Sequence, residues 1–336
     1  MNPWPAPLFQ HWYAVARSDR LGRKPLAVSV LDRPLVLARD GAGGLLALED
    51  RCPHRQVALS DGCVRHGRLQ CPYHGWSFDA DGRLRDIPGL PDGQPLPAVK
   101  VRSYPLLEHD GLLWLRPSAD GEAAPSALAR ELPPASRRFL WQTRWPAHVL
   151  DAMENFLDPL HTHFLHPGLV RQGDRRQRMQ VRLQSRDDGF SVDYRGQGEQ
   201  SGWLYRLFES RRSGEHAHFA LPGSARIEYR YASGARVCIT LHFTPHSATA
   251  TDVFATLHVQ GRIAPRWAVR LLLWPLLRKV GEQDRRMLER QAWNQARFPG
   301  RHGASSPLDL VRAPLEAWWL RGERPQPGER DIELML

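Results

Sequence analysis

Two short segments carry the residues best equipped for chemistry: Cys52-Pro53-His54-Arg55 and Cys71-Pro72-Tyr73-His74-Gly75-Trp76. Each offers one thiolate and one imidazole on a short loop. Sixteen residues separate His54 from Cys71, room for a strand and a turn that bring the loops together. Two Cys and two His can hold a [2Fe–2S] cluster with the thiolates on one iron and the imidazoles on the other, and neutral imidazoles in place of two thiolates raise the reduction potential. The same four donors also suit a structural zinc ion. Zinc fingers usually pair Cys with Cys and His with His, whereas each half-site here is mixed.

A second constellation lies further on, in Asn155-Phe156-Leu157-Asp158-Pro159-Leu160-His161-Thr162-His163-Phe164-Leu165-His166-Pro167-Gly168, which reads N-x-x-D-x-x-H-x(4)-H. Asp158 and His161 are three apart and neighbour each other on a helical face. His161 and His166 are five apart, about 140° around an ideal helix, and cannot both face one metal if the helix runs on. Pro167 disfavours helix at His166 and Gly168 can end the turn, so the chain is expected to break after His161 and swing His166 back. Two histidines and one carboxylate on one side of Fe(II) leave open positions for O₂. His163, two residues from His161, points elsewhere on such a helix.

Taken together, C-P-H-R, C-P-Y-H-G-W and the N-x-x-D-x-x-H-x(4)-H run resemble the Rieske non-heme iron oxygenases, specifically the alpha (terminal oxygenase) subunits of the short type that work without a beta subunit. The resemblance covers nearly the whole chain and is tightest at 52–76, 151–168 and 282–291. It implies that Cys52 and Cys71 bind one iron of a [2Fe–2S] cluster and His54 and His74 the outer one. It implies a mononuclear Fe(2+) held by His161, His166 and a carboxylate on a long C-terminal helix, where Asp284 in Glu282-Gln283-Asp284-Arg285-Arg286-Met287-Leu288-Glu289 fits and Glu282 is the second candidate. In such proteins the residue at Asp158 bridges a cluster histidine of one subunit and an iron-ligand histidine of its neighbour, orienting both; Asn155 sits near the iron as a polar neighbour. Respiratory-complex Rieske proteins carry an extra disulfide-bonded cysteine in each cluster loop. Here those loops have Val57 and Tyr73, which resembles the lower-potential oxygenase or ferredoxin type.

The activity so implied is that of a terminal oxygenase component. It uses O₂ and electrons from NAD(P)H, delivered by a separate reductase or ferredoxin, to hydroxylate or oxidatively demethylate a small aromatic, heteroaromatic or alicyclic substrate. A cis-dihydroxylating ring dioxygenase starts from the same iron site and is the alternative. A Rieske electron carrier fused to a ligand-binding domain is the reading from another class. The chain carries no convincing Gly-rich dinucleotide fingerprint or flavin motif of its own, which is why the reductase is expected to be another protein or domain. The family's usual assembly is a homotrimer.

These residues need elements to position them. With 336 residues the chain is long enough for about two domains. The expected fold class is α+β: an N-terminal all-β Rieske [2Fe–2S] domain at 1–135, then a helix-grip (START-like) catalytic domain with an antiparallel sheet at 136–336. Leu26–Leu31, Pro34–Ala38 and Leu45–Leu48 are β-like runs, and Asp81-Gly82 and Asp110-Gly111 are hairpin signals. The Ala-, Pro- and Glu-rich stretch from Ala119 to Ser136 reads as a linker. A strand near Phe139–Val149 should lead into the helix carrying Asp158 and His161. From 178 to 260, strand-like runs break at Asp187-Asp188-Gly189, Gly196-Gln197-Gly198, Ser213-Gly214, Pro222-Gly223 and Ser233-Gly234. A helical stretch over 265–297 should kink at Pro275. Pocket-lining candidates on the sheet strands are Leu204, Phe208, His218, Phe219, Ile227, Tyr229, Ile239 and Leu241, with their facing directions open because a one-residue register slip flips them.

The net charge is +10, with Arg supplying nearly all of it: only Lys24, Lys100 and Lys279 are lysines. No nucleic-acid-binding module accompanies that charge. Arg171, Arg175, Arg176, Arg178 and Arg182 read as a solvated loop, and the sharper hypothesis is a basic surface that steers an acidic electron donor. The apolar run Trp267–Leu277 is interrupted by Arg270 and too short to span a bilayer; it reads as a core or subunit-interface helix, with interfacial membrane contact as the alternative. Met1–Tyr13 has no signal-peptide pattern, and Cys63 and Cys238, the remaining two of four cysteines, read as packing residues, so a reducing cytoplasmic setting is expected.

Overall fold

A computed structural model describes residues 3–126, 137–170, 178–195, 212–260, 269–300 and 303–335, together with 128, 176 and 267. The chain divides into two compact units, Met1–Pro125 with Thr244–Ser247, and Ser126–Phe243 with Ala248–Leu336. The division falls inside the stretch expected to be a linker, upstream of the expected boundary at 135.

The first unit is all β, as its short runs and tight turns led us to expect. It contains β1 (Tyr13–Arg17), β2 (Leu26–Val30), β3 (Arg33–Arg39), β4 (Leu45–Glu49), β5 (Cys63–Arg65), β6 (Arg68–Gln70), β7 (Ser77–Phe78), β8 (Leu84–Asp86), β9 (Leu106–His109) and β10 (Leu112–Leu115). They form three small sheets in the orders β1-β10-β9, β2-β3-β4 and β5-β6-β7-β8. The Asp110-Gly111 signal holds: both residues are left-handed, at φ 55° and 72°, and join β9 to β10. The core beneath the third sheet packs Val36, Leu46, Leu48, Leu59, Leu69 and Phe78 around Cys52 and Cys71. Each such aliphatic or aromatic side chain contributes about 1.5–3 kcal/mol by leaving water.

The second unit is built on an eight-stranded sheet. Its strands are β11 (Arg137–Trp145), β12 (Arg178–Arg186), β13 (Gly189–Arg195), β14 (Arg212–Ala220), β15 (Ser224–Tyr231), β16 (Arg236–Ser247), β17 (Ala250–Gln260) and β18 (Gly328–Met335). The order is β11-β17-β16-β15-β14-β13-β12-β18, with antiparallel pairing. Its helices are α1 (Val149–Leu157), the single turn α2 (Thr162–Leu165), the long α3 (Trp274–Arg297) and α4 (Arg312–Glu316). A π-helical turn at Val269–Leu273 precedes α3. Together they lay Val269, Leu273, Trp274, Leu276 and Leu277 on a sheet face made by Ile227, Tyr229, Val237, Ile239, Leu257 and Val259. A long helix packed on an antiparallel sheet is the expected α+β arrangement.

Several local expectations are corrected. β11 ends at Trp145, before Pro146, and Val149 already belongs to α1. Pro275 falls where the π-helical turn Val269–Leu273 gives way to the first α-helical turn of α3, a local change of helix type of the kind that accommodates a proline's missing N–H. Ser213-Gly214 is no strand break but a register shift inside β14. Arg178 and Arg182 are not on a solvated loop; they sit on β12 and pair with Glu333 and Asp331 of β18. That edge strand was not anticipated, because charge at Glu329, Arg330, Asp331 and Glu333 leaves its period-2 apolar signal to Ile332 and Leu334 alone. Arg171, Arg175 and the Gly196-Gln197-Gly198 turn lie outside the described residues.

Candidate metal centres

The β5–β6 hairpin sets the first centre. β5 and β6 pair in register from Cys63↔Gln70 to Arg65↔Arg68, so one Cys-containing loop precedes the hairpin and the other follows it. The two loops are the same backbone turn. In the first, the Cys52 N–H donates to the Val57 carbonyl (2.8 Å) and the Gln56 N–H to the Cys52 carbonyl (2.9 Å). In the second, the Cys71 N–H donates to the Trp76 carbonyl (2.9 Å) and the Gly75 N–H to the Cys71 carbonyl (3.2 Å). The fifth residue of each is left-handed, Gln56 at φ 64° and Gly75 at φ 73°. At Gly75 a glycine is required twice over, because a Cβ there would approach Pro88 Cγ to 2.7 Å.

Both thiols point inward: Cys52 and Cys71 are buried, whereas His54 is half-buried and His74 exposed. The imidazoles face each other edge-on with centroids 4.6 Å apart, and Trp76 stacks on His54 at 4.6 Å. Burial, with His74 and Arg55 beside it, lowers the His54 pKa, favouring the neutral ring that can ligate a metal. His54 Nδ1 is buried and has no hydrogen-bond partner among the described residues. A desolvated ring nitrogen left without a partner costs free energy unless something binds it, and two inward thiols with two outer imidazoles fit a [2Fe–2S] cluster with mixed ligands. All four cysteines are free, and Val57 and Tyr73 provide no bridge between the loops.

The second centre is built by α1, α2 and α3. The helix does not run through to His161 as expected. α1 stops at Leu157 because Asp158 precedes Pro159 and takes extended angles, φ −89° and ψ 116°. Asp158 Oδ1 then accepts from the Leu160 N–H at 2.9 Å, and His161 opens α2. His161 and His166 therefore flank one short turn, so the expected break comes before His161, and a second follows at His166 with φ −121° and ψ 50°. Asp158 and His161 do not share a helical face.

His161, His166 and Asp284 converge, their candidate ligand atoms all within 4.8 Å of one another. Among the described residues no other His, Cys, Asp or Glu group meets that condition. His166 Nε2 lies 2.9 Å and His161 Nε2 3.5 Å from the same oxygen, Asp284 Oδ1. Burial alone would raise the Asp284 pKa, but the two histidines outweigh it and hold it below the ordinary carboxylate value. The ring of His166 is buried, and its Nδ1 lies 2.9 Å from Gln283 Oε1. Two imidazoles and one ionised carboxylate on one side suit Fe(II) with open positions. His161 Nδ1 is buried without a partner among the described residues, again a donor set short of its complement.

Glu282 takes no part. Its carboxylate is held by Arg285 and Arg286 on its own helix, which push its pKa down to about 2. Asn155 Oδ1 is buried and without a hydrogen bond among the described residues. Asp158 has its pKa raised, first by burial and then by Asp309. His163 is buried and stands outside the cluster.

A cavity of about 590 Å³ reaches Asp284 from between α3 and the sheet. Its apolar wall comes from Trp141 and Trp145 of β11, Phe156 of α1, Ile239 and Leu241 of β16 and Val253 of β17. Of the pocket candidates, Ile239 and Leu241 line it. Phe219 packs at a tilt against Phe190 (centroids 4.8 Å), Ile227 and Tyr229 pack in the helix–sheet core, His218 is on the other face of the sheet, and Leu204 and Phe208 lie outside the described residues. Trp141, Trp145 and Val253 were missed, although the alternation Trp141-x-Thr143-x-Trp145 puts these three side chains on one face.

Comparison with known proteins agrees with this geometry. Residues 11–105 match the Rieske [2Fe-2S] domain, and residues 145–312, half of the chain, match the vanillate O-demethylase oxygenase C-terminal domain. The chain is 36% identical over 158 residues to the oxygenase component of dicamba O-demethylase from Stenotrophomonas maltophilia, covering 46% of each. It is 37% identical over 196 residues to 4beta-methylsterol monooxygenase from Methylococcus capsulatus, covering 54% of this chain and 53% of that protein. The chain thus spans about half the length of the curated relatives it matches. Among solved structures, Pseudomonas putida NdmA with caffeine superposes with a TM-score of 0.78 at 24% identity, over 94% of this chain and 90% of that one. Dicamba monooxygenase bound to dicamba superposes with a TM-score of 0.75 at 23% identity, over 92% and 95%; at such identities these two establish the fold. With a cluster-binding domain and an oxygenase C-terminal domain matched in tandem, the chain belongs to the Rieske non-heme iron oxygenases.

Proposed function

We propose that this protein is the terminal oxygenase component of a Rieske oxygenase system. It hydroxylates or oxidatively demethylates a small aromatic, heteroaromatic or alicyclic substrate, using O₂ and electrons from NAD(P)H through a separate reductase or ferredoxin. The observation that carries the proposal is the convergence of His161, His166 and Asp284, the last of which lines a cavity with an aromatic and aliphatic wall, in a chain that also presents Cys52, His54, Cys71 and His74 on paired loops. Dicamba O-demethylase and the methylxanthine N1-demethylase NdmA, similar to parts of this chain, favour demethylation or monooxygenation over dihydroxylation.

In this reading Cys52, Cys71, His54 and His74 hold a [2Fe–2S] cluster, and His161, His166 and Asp284 hold one Fe(2+); bound there, the cluster supplies single electrons and the ferrous ion supplies O₂ activation. The chain's own task is positioning. Trp141, Trp145 and Phe156 present flat apolar surfaces that orient a planar substrate and exclude bulk water from the end of the cavity where Asp284 lies. Asn155 adds a polar side chain on α1. Asp158 joins His161 to a cluster histidine of a neighbouring copy, and the working assembly is a homotrimer. Cys63 and Cys238, outside the cluster, form no disulfide, which suits a reducing, cytoplasmic setting. No helix among the described residues is long and apolar enough to cross a membrane.

The test is a panel of O-methyl and N-methyl aromatics with a reductase, NADH and ¹⁸O₂. The expected result is substrate-dependent consumption of NADH and O₂ with one labelled oxygen in the hydroxylated product, or formaldehyde release. Two labelled oxygens in one product would replace this reading with dihydroxylation. Reduction of the cluster with no bound mononuclear iron and no substrate-dependent O₂ use would leave an electron carrier.

A further inference from the structure

We infer that Gln283 is a positioning residue for the mononuclear site: its side-chain carbonyl fixes the tautomer and ring orientation of His166, so that consecutive residues of α3 supply both the carboxylate and the group that aims a histidine. The inference rests on the reading of His161, His166 and Asp284 as the iron ligands.

Three observations carry it. First, His166 is gripped at both ring nitrogens by neighbours in sequence, Nδ1 at 2.9 Å from Gln283 Oε1 and Nε2 at 2.9 Å from Asp284 Oδ1. Adjacent helical residues diverge by about 100°, so the imidazole is held in the angle between two side chains and cannot rotate without losing one contact. Second, the ring is 1% exposed, so no solvent competes for Nδ1 and any loss of Gln283 leaves a buried N–H unsatisfied. Third, an amide oxygen only accepts hydrogen bonds. Nδ1 must therefore carry a hydrogen whether or not Nε2 does, so Nε2, which meets Asp284 Oδ1 at 2.9 Å, is the nitrogen a metal would take on displacing its proton. His161 differs: its Nδ1 has no partner among the described residues. The two histidines are thus oriented by different means, and only His166 is fixed by the same helix that brings the carboxylate.

The partner is a neutral amide, not the carboxylate that often orients metal-bound histidines. A neutral acceptor aims the ring while adding no second negative charge beside Asp284. Gln283 stands between Glu282, whose charge is taken up by Arg285 and Arg286, and Asp284, which faces the histidines. The segment therefore sorts three neighbouring polar side chains into surface pairing, ring orientation and ligation.

The experiment uses the full chain with its cluster loaded and the mononuclear metal removed by chelation, titrated with Co(II) by calorimetry and visible spectroscopy. Gln283→Leu is expected to weaken Co(II) binding by about 10–100-fold and to alter the Co(II) d–d bands, with the cluster spectrum unchanged; loss of an outer partner of a metal-bound histidine has that typical cost. Gln283→Glu, which keeps an acceptor at the same place, is expected to restore most of the affinity. Equal affinity and equal bands in Gln283→Leu and the unmodified chain would overturn the inference, as would a Gln283→Glu variant as weak as Gln283→Leu. Asp284→Ala separates the two levels of the argument. If it also binds Co(II) like the unmodified chain, the ligand reading itself fails. If it loses Co(II) while Gln283→Leu keeps it, only the role of Gln283 fails.

Discussion

At the scale of single residues, the account turns on which side chains ligate and which orient. Asp284→Ala or His161→Ala is expected to abolish retention of the mononuclear iron and to reduce product formation by more than the roughly 10–100-fold that loss of an outer partner costs. The cluster's visible absorption should persist, because Cys52, His54, Cys71 and His74 belong to the other unit. Metal analysis showing a full complement of iron in either variant would remove that residue from the ligand set. Asp158→Asn should keep both metals yet lose turnover coupled to cluster oxidation. A single-turnover experiment that gives the unmodified product yield from a reduced cluster would end the bridging role. The Cys and His candidates stand out in the sequence by their spacing, and Asp284 by the resemblance alone. Gln283 could not be: a glutamine beside an aspartate on a charged helix carries no signal until the ring of His166 is seen against it. Asp284 is the first carboxylate candidate and Glu282 the second; Asp284 faces His161 and His166, whereas Arg285 and Arg286, one helical turn on, hold Glu282.

At the scale of elements, turns decide the geometry. The two cluster loops share one hydrogen-bond pattern, with His at the third position of the first and the fourth of the second. Gly75→Ala tests how tightly that turn is set. It forces a left-handed alanine and drives a Cβ toward Pro88 Cγ at 2.7 Å, so the fold should lose about 1–2 kcal/mol from backbone strain alone. Thermal melts of the cluster-loaded variant that match the unmodified protein would mean that the loop relaxes freely. Hairpins such as Asp110-Gly111 were legible in the sequence because φ > 0 at both positions restricts the residue types. The end of α1 was misplaced because the helical spacing of Asp158 and His161 was weighed above the effect of Pro159 on the residue before it. β18 was missed because its apolar alternation is limited to Ile332 and Leu334, while Asp331 and Glu333 pair with Arg182 and Arg178.

At the scale of the whole molecule, the two-unit plan and the α+β class were legible because chain length and motif order constrain them together. The net charge of +10 is a property of the entire chain, and it bears on association with an electron donor. With a fixed acidic ferredoxin or reductase, apparent donor affinity should fall as ionic strength rises through the range where the Debye length shrinks from about 30 Å to about 8 Å. An affinity that does not weaken with salt would assign the charge to composition alone.

On this reading one polypeptide holds both an electron-storing cluster and a separate ferrous site. Iron and acid-labile sulfide analysis of the reconstituted full chain tests it most directly. The account predicts about three irons and about two sulfides per chain, with one iron lost selectively in Asp284→Ala. Two irons with two sulfides and no further loss in that variant, or zinc without sulfide, would contradict it.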